Sequence, residues 1–203
     1  MCLFIETIKL IKGVPQLREY HQERFDDTRR AHFDACKSIS LTEVISLPDH
    51  LASNRPVKCR IVYGRDIESI TYEKYLPKIV RTLRTVFDDD ISYTYKSLDR
   101  TSLNNLLEQK EGCDEVLIIR NGLVTDTSYS NVVFKDRQGR WFTPDSYLLN
   151  GVMRRYLLDA RAIGETRIAQ EDIRKYQSVK LINAMLGIED GPEVELPING
   201  KEW

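Results

Sequence analysis

The sequence has few of the residues that build metal centres or disulfide frameworks. It contains four cysteines and three histidines in 203 residues. The cysteines are Cys2, Cys36, Cys59 and Cys113, and the histidines are His21, His32 and His50. Because no two cysteines form a C-x-x-C pair and no zinc-ligand spacing occurs, we expect no metal site. Scattered cysteines in a chain of this size indicate reduced thiols and predict a cytoplasmic protein.

The sequence also lacks an excess of either charge and any long apolar run. Lysine plus arginine number 30 and aspartate plus glutamate number 31, so the net charge of -1 argues against nucleic-acid binding. No apolar run approaches the length of a membrane span, which argues against a membrane protein. The first ten residues have no basic start and no small-residue cleavage site, so we expect no signal peptide. The remaining composition, 41% hydrophobic and 30% charged, is typical of a globular protein.

The first half of the chain is predicted to combine strands with one long helix. Residues 3–10 alternate as in a strand, Lys12 and Gly13 mark a turn, and residues 16–35 follow a helical period. The residues on one stripe of that helix are Leu17, Tyr20, His21, Arg24, Thr28 and Ala31. The elements predicted next are a short helix within 38–53 and strands at 57–63, 70–76 and 79–86.

The second half gives clearer signals for strands and helices. Residues 91–96 alternate strictly, which predicts a strand that ends at Lys96. The elements predicted after it are a helix at 103–110 that Gly112 ends, strands at 115–120, 131–135, 140–143 and 179–183, and a helix between Gly151 and Gly164. We therefore predict an α+β protein with an amino-terminal domain at 1–86 and a carboxy-terminal domain at 87–203.

Lys96 is the first candidate for chemistry. It lies where the predicted strand gives way to a turn and a helix, a common place for functional side chains. A lysine amine forms a Schiff base when burial or a nearby cation keeps it partly neutral, and Arg100 is a candidate cation. The alternative is an ordinary solvent-exposed lysine.

Asp126 and Gly151 mark two further candidate segments. Asp126 is followed by a run of hydroxyl side chains and by Asn131, an arrangement that could pair with the ring nitrogen of a cofactor. The alternative is a polar loop in which Asp126 caps a turn. Gly151 precedes a helix whose first backbone N–H groups favour an anion, although many helices begin in this way.

Arg24 is the fourth candidate, because it falls on the otherwise core-facing stripe of the first helix. One interpretation is an internal ion pair with Asp26, Asp27 or a distant acid. The other is an arginine that binds a phosphate group. The residues alone leave both interpretations open.

Taken together, these segments resemble the class IV, or fold type IV, pyridoxal-phosphate family of aminotransferases and 4-amino-4-deoxychorismate lyases. Phe4 to Thr7 resembles the opening strand, and His21 to Phe25 resembles the H-x-x-R-L helix. Lys96 to Arg100 resembles the lysine segment in a form closer to the lyases. The three remaining matches are Val124 to Phe134, Gly151 to Arg154 and Leu181 to Met185.

The resemblance implies a two-domain, D-amino acid aminotransferase-like fold with pyridoxal 5'-phosphate bound between the domains of a homodimer. It implies that Lys96 is the catalytic lysine and forms the Schiff base. The residues that it implies for cofactor binding are Arg24, Lys96, Arg100, Asp126, Ser130, Asn131, Val152, Met153, Asn183 and Ala184. The chain departs from the family pattern at Asp126, where glutamate is usual, and at its short amino-terminal segment.

The reaction favoured by the lysine segment is that of 4-amino-4-deoxychorismate lyase, which produces 4-aminobenzoate and pyruvate for folate synthesis. An amino acid aminotransferase of the branched-chain or D-amino acid type is the alternative, since the same residues support transamination of a small amine substrate. A third hypothesis is a degenerate family member that binds the cofactor without turnover.

Overall fold

A computed structural model describes residues 2–34, 37–52 and 54–196 of the chain, which divides into two compact units. The first unit comprises Met1–Pro77 and Tyr95–Asp99, and the second comprises Lys78–Thr94 and Arg100–Trp203. The predicted domain boundary between residues 86 and 87 stays a prediction. The compact units differ from it in two places, since residues 78–86 group with the second unit and the Lys96 segment groups with the first.

The first unit is a four-stranded antiparallel sheet in the order β2-β1-β3-β4. Its elements are β1 (Phe4–Ile11), β2 (Val14–Pro15), α1 (Arg18–Phe33), α2 (Leu41–Val44), a 3₁₀ turn at Asp49–Leu51, β3 (Val57–Tyr63) and β4 (Ile67–Lys74). Lys12 and Gly13 form the two-residue turn between β1 and β2, with φ angles of 50° and 80°. The positive φ at both positions is the geometry that a tight hairpin turn requires, and Gly13 adopts it without strain.

Helix α1 packs on this sheet through a stripe that differs in part from the predicted one. His21 and Thr28 are buried as predicted, but Ala31 is exposed, and Phe25 and Arg29 are buried instead. The Phe25 ring lies 4.5 Å from the Tyr63 ring, centroid to centroid. Since Arg29 donates hydrogen bonds to the carbonyls of Lys37 and Arg65, a charged side chain occupies a buried position that periodicity assigns to apolar residues. The carboxyl end predicted for this helix, at residue 35, lies outside the described residues.

The predicted strand at residues 91–96 is wrong. These residues form no strand, although Ile91 is buried and the side chains around it alternate in exposure. The backbone pairs only at its end, where Ser97 bridges Phe4, the Ile5 amide donates to the Lys96 carbonyl at 2.9 Å, and the Leu98 amide donates to the Leu3 carbonyl. Alternating residues form a strand only where a partner strand runs alongside. This segment pairs only through its carboxyl end, with the first residues of β1.

The described residues of the second unit form two sheets and two α-helices. Its elements are β5 (Leu83–Phe87), α3 (Thr101–Glu108), β6 (Glu115–Arg120), β7 (Leu123–Thr127), β8 (Asn131–Lys135), β9 (Trp141–Pro144), α4 (Val152–Asp159), β10 (Gly164–Thr166), a 3₁₀ turn at Gln170–Lys175, β11 (Ser178–Ile182) and β12 (Glu193–Glu195). The sheets have the orders β5-β6-β7 and β10-β9-β8-β11-β12. The turn between β6 and β7 and the turn between β8 and β9 contain Asn121, Gly122 and Gly139, whose φ angles are positive at 52°, 73° and 82°.

Burial in the core of the second unit explains why some of its strands were predicted correctly and others were not. β6 and β8 have the predicted bounds because their residues are buried almost without interruption and are rich in valine and isoleucine. The polar loop that was the alternative interpretation at Asp126 is not observed, because Asp126 lies on the buried strand β7. β10 and β12 are short edge strands of three residues, which gave no sequence signal. Gly164 belongs to β10, since α4 already ends at Asp159.

The described residues contain no membrane-spanning helix and no disulfide bond. Among the described helices, none combines the length and the apolar character needed to cross a membrane. Cys2, Cys59 and Cys113 are free thiols, whereas Cys36 lies outside the described residues.

Candidate active site

The first unit contains a buried cluster of one acid and two basic side chains. Glu6 faces α1 from β1 and is fully buried. Its two oxygens accept hydrogen bonds from Nε and Nη2 of Arg24, both at 2.7 Å, in a bidentate ion pair. His21, one turn before Arg24, places Nδ1 2.6 Å from Glu6 Oε2. The three side chains therefore form one hydrogen-bonded unit.

The protonation states of this cluster follow from its contacts. Burial alone raises the pKa of Glu6, but the charge of Arg24 and the hydrogen bonds from His21 and Arg24 outweigh it and lower the pKa to about 2. The pKa of His21 is lowered chiefly by burial, and the positive charges of Arg24 and Lys96 add to that effect. His21 is therefore neutral at pH 7, donates through Nδ1 to Glu6, and carries a lone pair on the buried Nε2, for which the described residues provide no partner.

Lys96 and Arg24 both belong to the first unit. Lys96 is half-buried, and its positive charge contributes to lowering the pKa of His21. Arg24 forms the internal ion pair that the sequence left open, with Glu6 as the acid in place of Asp26 or Asp27. The predicted role of Arg24 in phosphate binding stays a prediction.

A second network surrounds Asp126, which lies on β7 in the second unit and is buried. Its Oδ1 accepts a hydrogen bond from Asn131 Nδ2 at 2.8 Å. Its Oδ2 accepts from the backbone amides of Leu148 and Leu149 at 3.1 and 2.9 Å. The Asn131 amide also donates to the Leu149 carbonyl at 2.8 Å. Asp126 and Asn131 therefore hold the segment that leads into α4.

Burial is the dominant influence on the Asp126 carboxyl group. It raises the pKa to about 6, against the opposing effects of the hydrogen bonds from Leu149, Asn131 and Leu148 and of the Arg154 charge. The group is thus mostly ionised at pH 7. A buried carboxylate that keeps its charge needs donors on both oxygens, and this one has three.

Helix α4 begins directly against Asn131. A Cβ atom on Gly151 would lie 2.0 Å from Asn131 Oδ1, so only glycine allows this approach. Val152 is buried and Met153 is half-buried, and their backbone N–H groups belong to the first turn, which has no intrahelical acceptor. The predicted anion-favouring helix start is therefore present, and α4 is eight residues long.

Arg154 fixes the outer side of this turn. Its guanidinium donates to the carbonyl of Pro144, to Asn150 Oδ1 and to Glu165, and it lies 4.1 Å from the Tyr147 ring centroid. Since the side chain is buried among these partners, Arg154 serves to hold α4 against its neighbours in the same unit.

Ser130 and Asn183 form a further link in the second unit. Asn183 Nδ2 donates to Ser130 Oγ at 2.8 Å, and the Asn183 side-chain oxygen accepts from the Met185 amide at 2.9 Å. β8 and β11 pair Asn131 with Ile182, so Ser130 and Asn183 lie beside the Asp126 network. Ala184 is half-buried in the turn between Asn183 and Leu186. The structure therefore brings together the predicted residues 126, 130, 131 and 183.

Arg100 and Glu115 hold the loop between β7 and β8. Arg100 donates to the Ser128 carbonyl at 2.6 Å, and the Ser128 amide donates to Glu115 Oε1 at 3.3 Å. Glu115 is fully buried, and its other oxygen accepts from Lys78 at 2.9 Å. Arg100 thus contacts the loop that carries Ser130.

Sequence reasoning missed Glu6 and Glu115 as members of these clusters. Glu6 shares a strand face with Phe4, Ile8 and Leu10, all buried, so a carboxylate inside an apolar row was the available signal. Glu115 begins an apolar run in the same way. A buried carboxylate requires a basic partner or several donors, which points to Arg24 in the first case and Lys78 in the second.

Comparisons with known proteins agree with these observations. A model of the Amino-transferase class IV family matches residues 3–190. An uncharacterized protein of Haemophilus influenzae is 41% identical over 186 residues, which cover 90% of this chain and 97% of the relative. A crystal structure from Haemophilus somnus, described as a proposed 4-amino-4-deoxychorismate lyase, is 37% identical, with a TM-score of 0.86 over 93% of this chain and 98% of that chain.

A more distant structure extends the likeness in fold. A proposed amino-acid aminotransferase from Mesorhizobium loti is 21% identical, with a TM-score of 0.80 over 97% of this chain and all of that chain. The predicted resemblance and the predicted α+β fold class are confirmed by these matches. So is the broader prediction of an enzyme of the lyase and aminotransferase group.

Proposed function

Because this chain belongs to the amino-transferase class IV family, we propose that it is a pyridoxal-phosphate-dependent 4-amino-4-deoxychorismate lyase that forms 4-aminobenzoate and pyruvate. The observation that carries the proposal is the 37% identity to the Haemophilus somnus protein, which extends over nearly the full length of both chains. Folate synthesis as the pathway, a cytoplasmic location and a homodimer are parts of the same proposal.

The residues of the chain fit pyridoxal phosphate in their donor chemistry. The start of α4 offers backbone N–H groups to a phosphate, and Gly151 allows that turn to lie against the Asn131 side chain. Arg24 supplies a guanidinium, and Lys96 supplies a half-buried amine. Structures described as bound to pyridoxal phosphate and to its amine form occur among proteins of this fold that are 16% and 17% identical.

When bound, the cofactor supplies an electron-accepting ring next to the substrate carbon that carries nitrogen. Lys96 would hold the cofactor and would then take a proton from, and return one to, substrate atoms as general base and acid. The Lys96 charge acts on neutral His21, and Glu6 next to His21 is already paired with Arg24.

The hydrogen bonds of Asp126 favour the lyase reaction over transamination. A carboxylate offers about four acceptor positions, and three of those on Asp126 are taken by Asn131, Leu148 and Leu149. A ring nitrogen therefore finds at most one position on this acid, which limits how strongly the acid can support negative charge on the ring. Elimination that forms an aromatic ring has its own driving force, whereas transamination depends on the ring accepting that charge.

Product analysis tests the proposal. Purified protein with pyridoxal phosphate is incubated with aminodeoxychorismate, and 4-aminobenzoate and pyruvate are quantified by chromatography. Parallel reactions contain branched-chain or D-amino acids with 2-oxoglutarate. Equal amounts of both products, absent in Lys96→Ala, support the lyase. Turnover confined to amino acid and keto acid pairs replaces it with the aminotransferase, and binding without turnover of either kind supports a degenerate member.

A further inference from the structure

Asp126 holds the start of α4 through two routes. Its Oδ2 accepts the amides of Leu148 and Leu149, which lie just before Gly151 in the chain. Its Oδ1 accepts Asn131 Nδ2, and the same Asn131 amide donates to the Leu149 carbonyl. Both routes therefore fix residues two to three positions before Gly151.

The second route ends in direct contact with the helix start. Asn131 Oδ1 lies only 2.0 Å from the position that a Cβ atom on Gly151 would take. Because Asn131 is itself oriented by Asp126, the carboxylate sets both the backbone before the helix and the side chain packed against its first glycine.

From this geometry we propose that Asp126 is a positioning residue for the phosphate-binding start of α4, and that this role, and not pairing with the ring nitrogen, is its main contribution to cofactor binding. The proposal rests on the proposed function, since it takes α4 as the phosphate site of pyridoxal phosphate. Both oxygens of Asp126 already accept hydrogen bonds from the protein, which is the arrangement expected of a structural acid.

Asp126→Asn separates the two roles because of its donors. One side of the new amide is an NH₂ group, which would face either the Asn131 NH₂ group or the amides of Leu148 and Leu149. A donor facing donors loses the hydrogen bonds on that side and loosens the segment before α4. A residue that merely paired with the ring nitrogen would lose only its charge.

The experiment compares pyridoxal 5'-phosphate with pyridoxal, which has the same ring and no phosphate. Dissociation constants for both are measured by fluorescence titration of the apoprotein, and inorganic phosphate is titrated separately. Asp136→Asn is the matched control, because Asp136 also accepts two backbone amides, from Gln138 and Arg140, in the β8–β9 hairpin of the second unit. Asn131→Ala is the second test variant, since it breaks the same link from the other side.

We expect wild type and Asp136→Asn to bind the phosphorylated compound more tightly than pyridoxal. Asp126→Asn and Asn131→Ala should lose roughly tenfold or more of that preference, and of phosphate affinity, with little change for pyridoxal. Equal losses for both compounds would return Asp126 to the ring nitrogen and overturn the inference. An unchanged preference in Asn131→Ala would also overturn it, even if Asp126→Asn fails to fold. Wild-type protein that binds neither compound would overturn the proposed function as well.

Discussion

Glu6→Gln is expected to destabilise the protein, because it removes the negative charge of the carboxylate to which Arg24 and His21 are hydrogen-bonded. Glutamine keeps the volume of glutamate, so the packing of β1 against α1 is preserved while the ion pair is lost. The Arg24 side chain is only 11% exposed and would retain its positive charge without the carboxylate. Breaking a buried pair from one side costs about 3–5 kcal/mol, which is the loss expected at pH 7.

The pH dependence gives a second and more specific magnitude. The Glu6 pKa falls from 4.5 to about 2 on folding, which corresponds to about 3 kcal/mol of stability. Because the folded pKa is the lower one, that stability is fully present above pH 4.5 and is lost as the pH falls toward 2. Between pH 4.5 and 3 the wild type should lose about 2 kcal/mol from this group alone.

The assay is urea unfolding followed by circular dichroism at pH 7, 4.5 and 3. Glu73→Gln is the matched control, since Glu73 is 63% exposed and pairs with Lys58 on the surface of the same unit. This control should change stability by less than about 0.5 kcal/mol. Repeating the comparison in a His21→Asn background removes the titration of His21, whose lowered pKa also weakens the fold in acid. Equal acid sensitivity of wild type and Glu6→Gln would refute the reasoning.

Two further substitutions test the candidate site, and a third tests the packing of Gly191 outside it. Arg24→Ala should weaken pyridoxal-phosphate binding by about 1.5–3 kcal/mol, measured by titration, whereas Arg30→Ala, at an exposed pair with Asp27, should leave it unchanged. Gly151→Ala should cost about 1–3 kcal/mol in urea unfolding because its Cβ meets the Asn131 side chain, and Asn131→Ala should recover part of that loss. Gly191→Ala should destabilise without such rescue, because its Cβ would lie 2.2 Å from the Leu181 backbone oxygen. A neutral Gly191→Ala would contradict that packing.

How far the sequence predicts the fold depends on what each segment contacts. β3, β6 and β8 were predicted with their observed bounds, because all three are rich in β-branched and apolar residues. Residues 91–96 alternate equally well and form no strand, since only Ser97 bridges β1. Pairing with a distant partner decides such cases, and local periodicity does not contain it.

The candidate site was predictable in its residues and less so in their partners. Family resemblance indicated Arg24, Asp126 and Asn131, and the structure places the last two in direct contact. It could not indicate that Asp126 accepts the amides of Leu148 and Leu149, because backbone donors leave no mark in side-chain identity. The acid that pairs with Arg24 was left open between Asp26, Asp27 and a distant acid, and the structure identifies it as Glu6 on β1.

The central claim, that Lys96 carries pyridoxal phosphate, is tested most directly by borohydride reduction of the protein with the cofactor, followed by digestion and mass spectrometry. The account predicts a single cofactor adduct per chain on the peptide that contains Lys96, and no stoichiometric adduct in Lys96→Ala. An adduct at another lysine, such as Lys78, with Lys96 unmodified would contradict it.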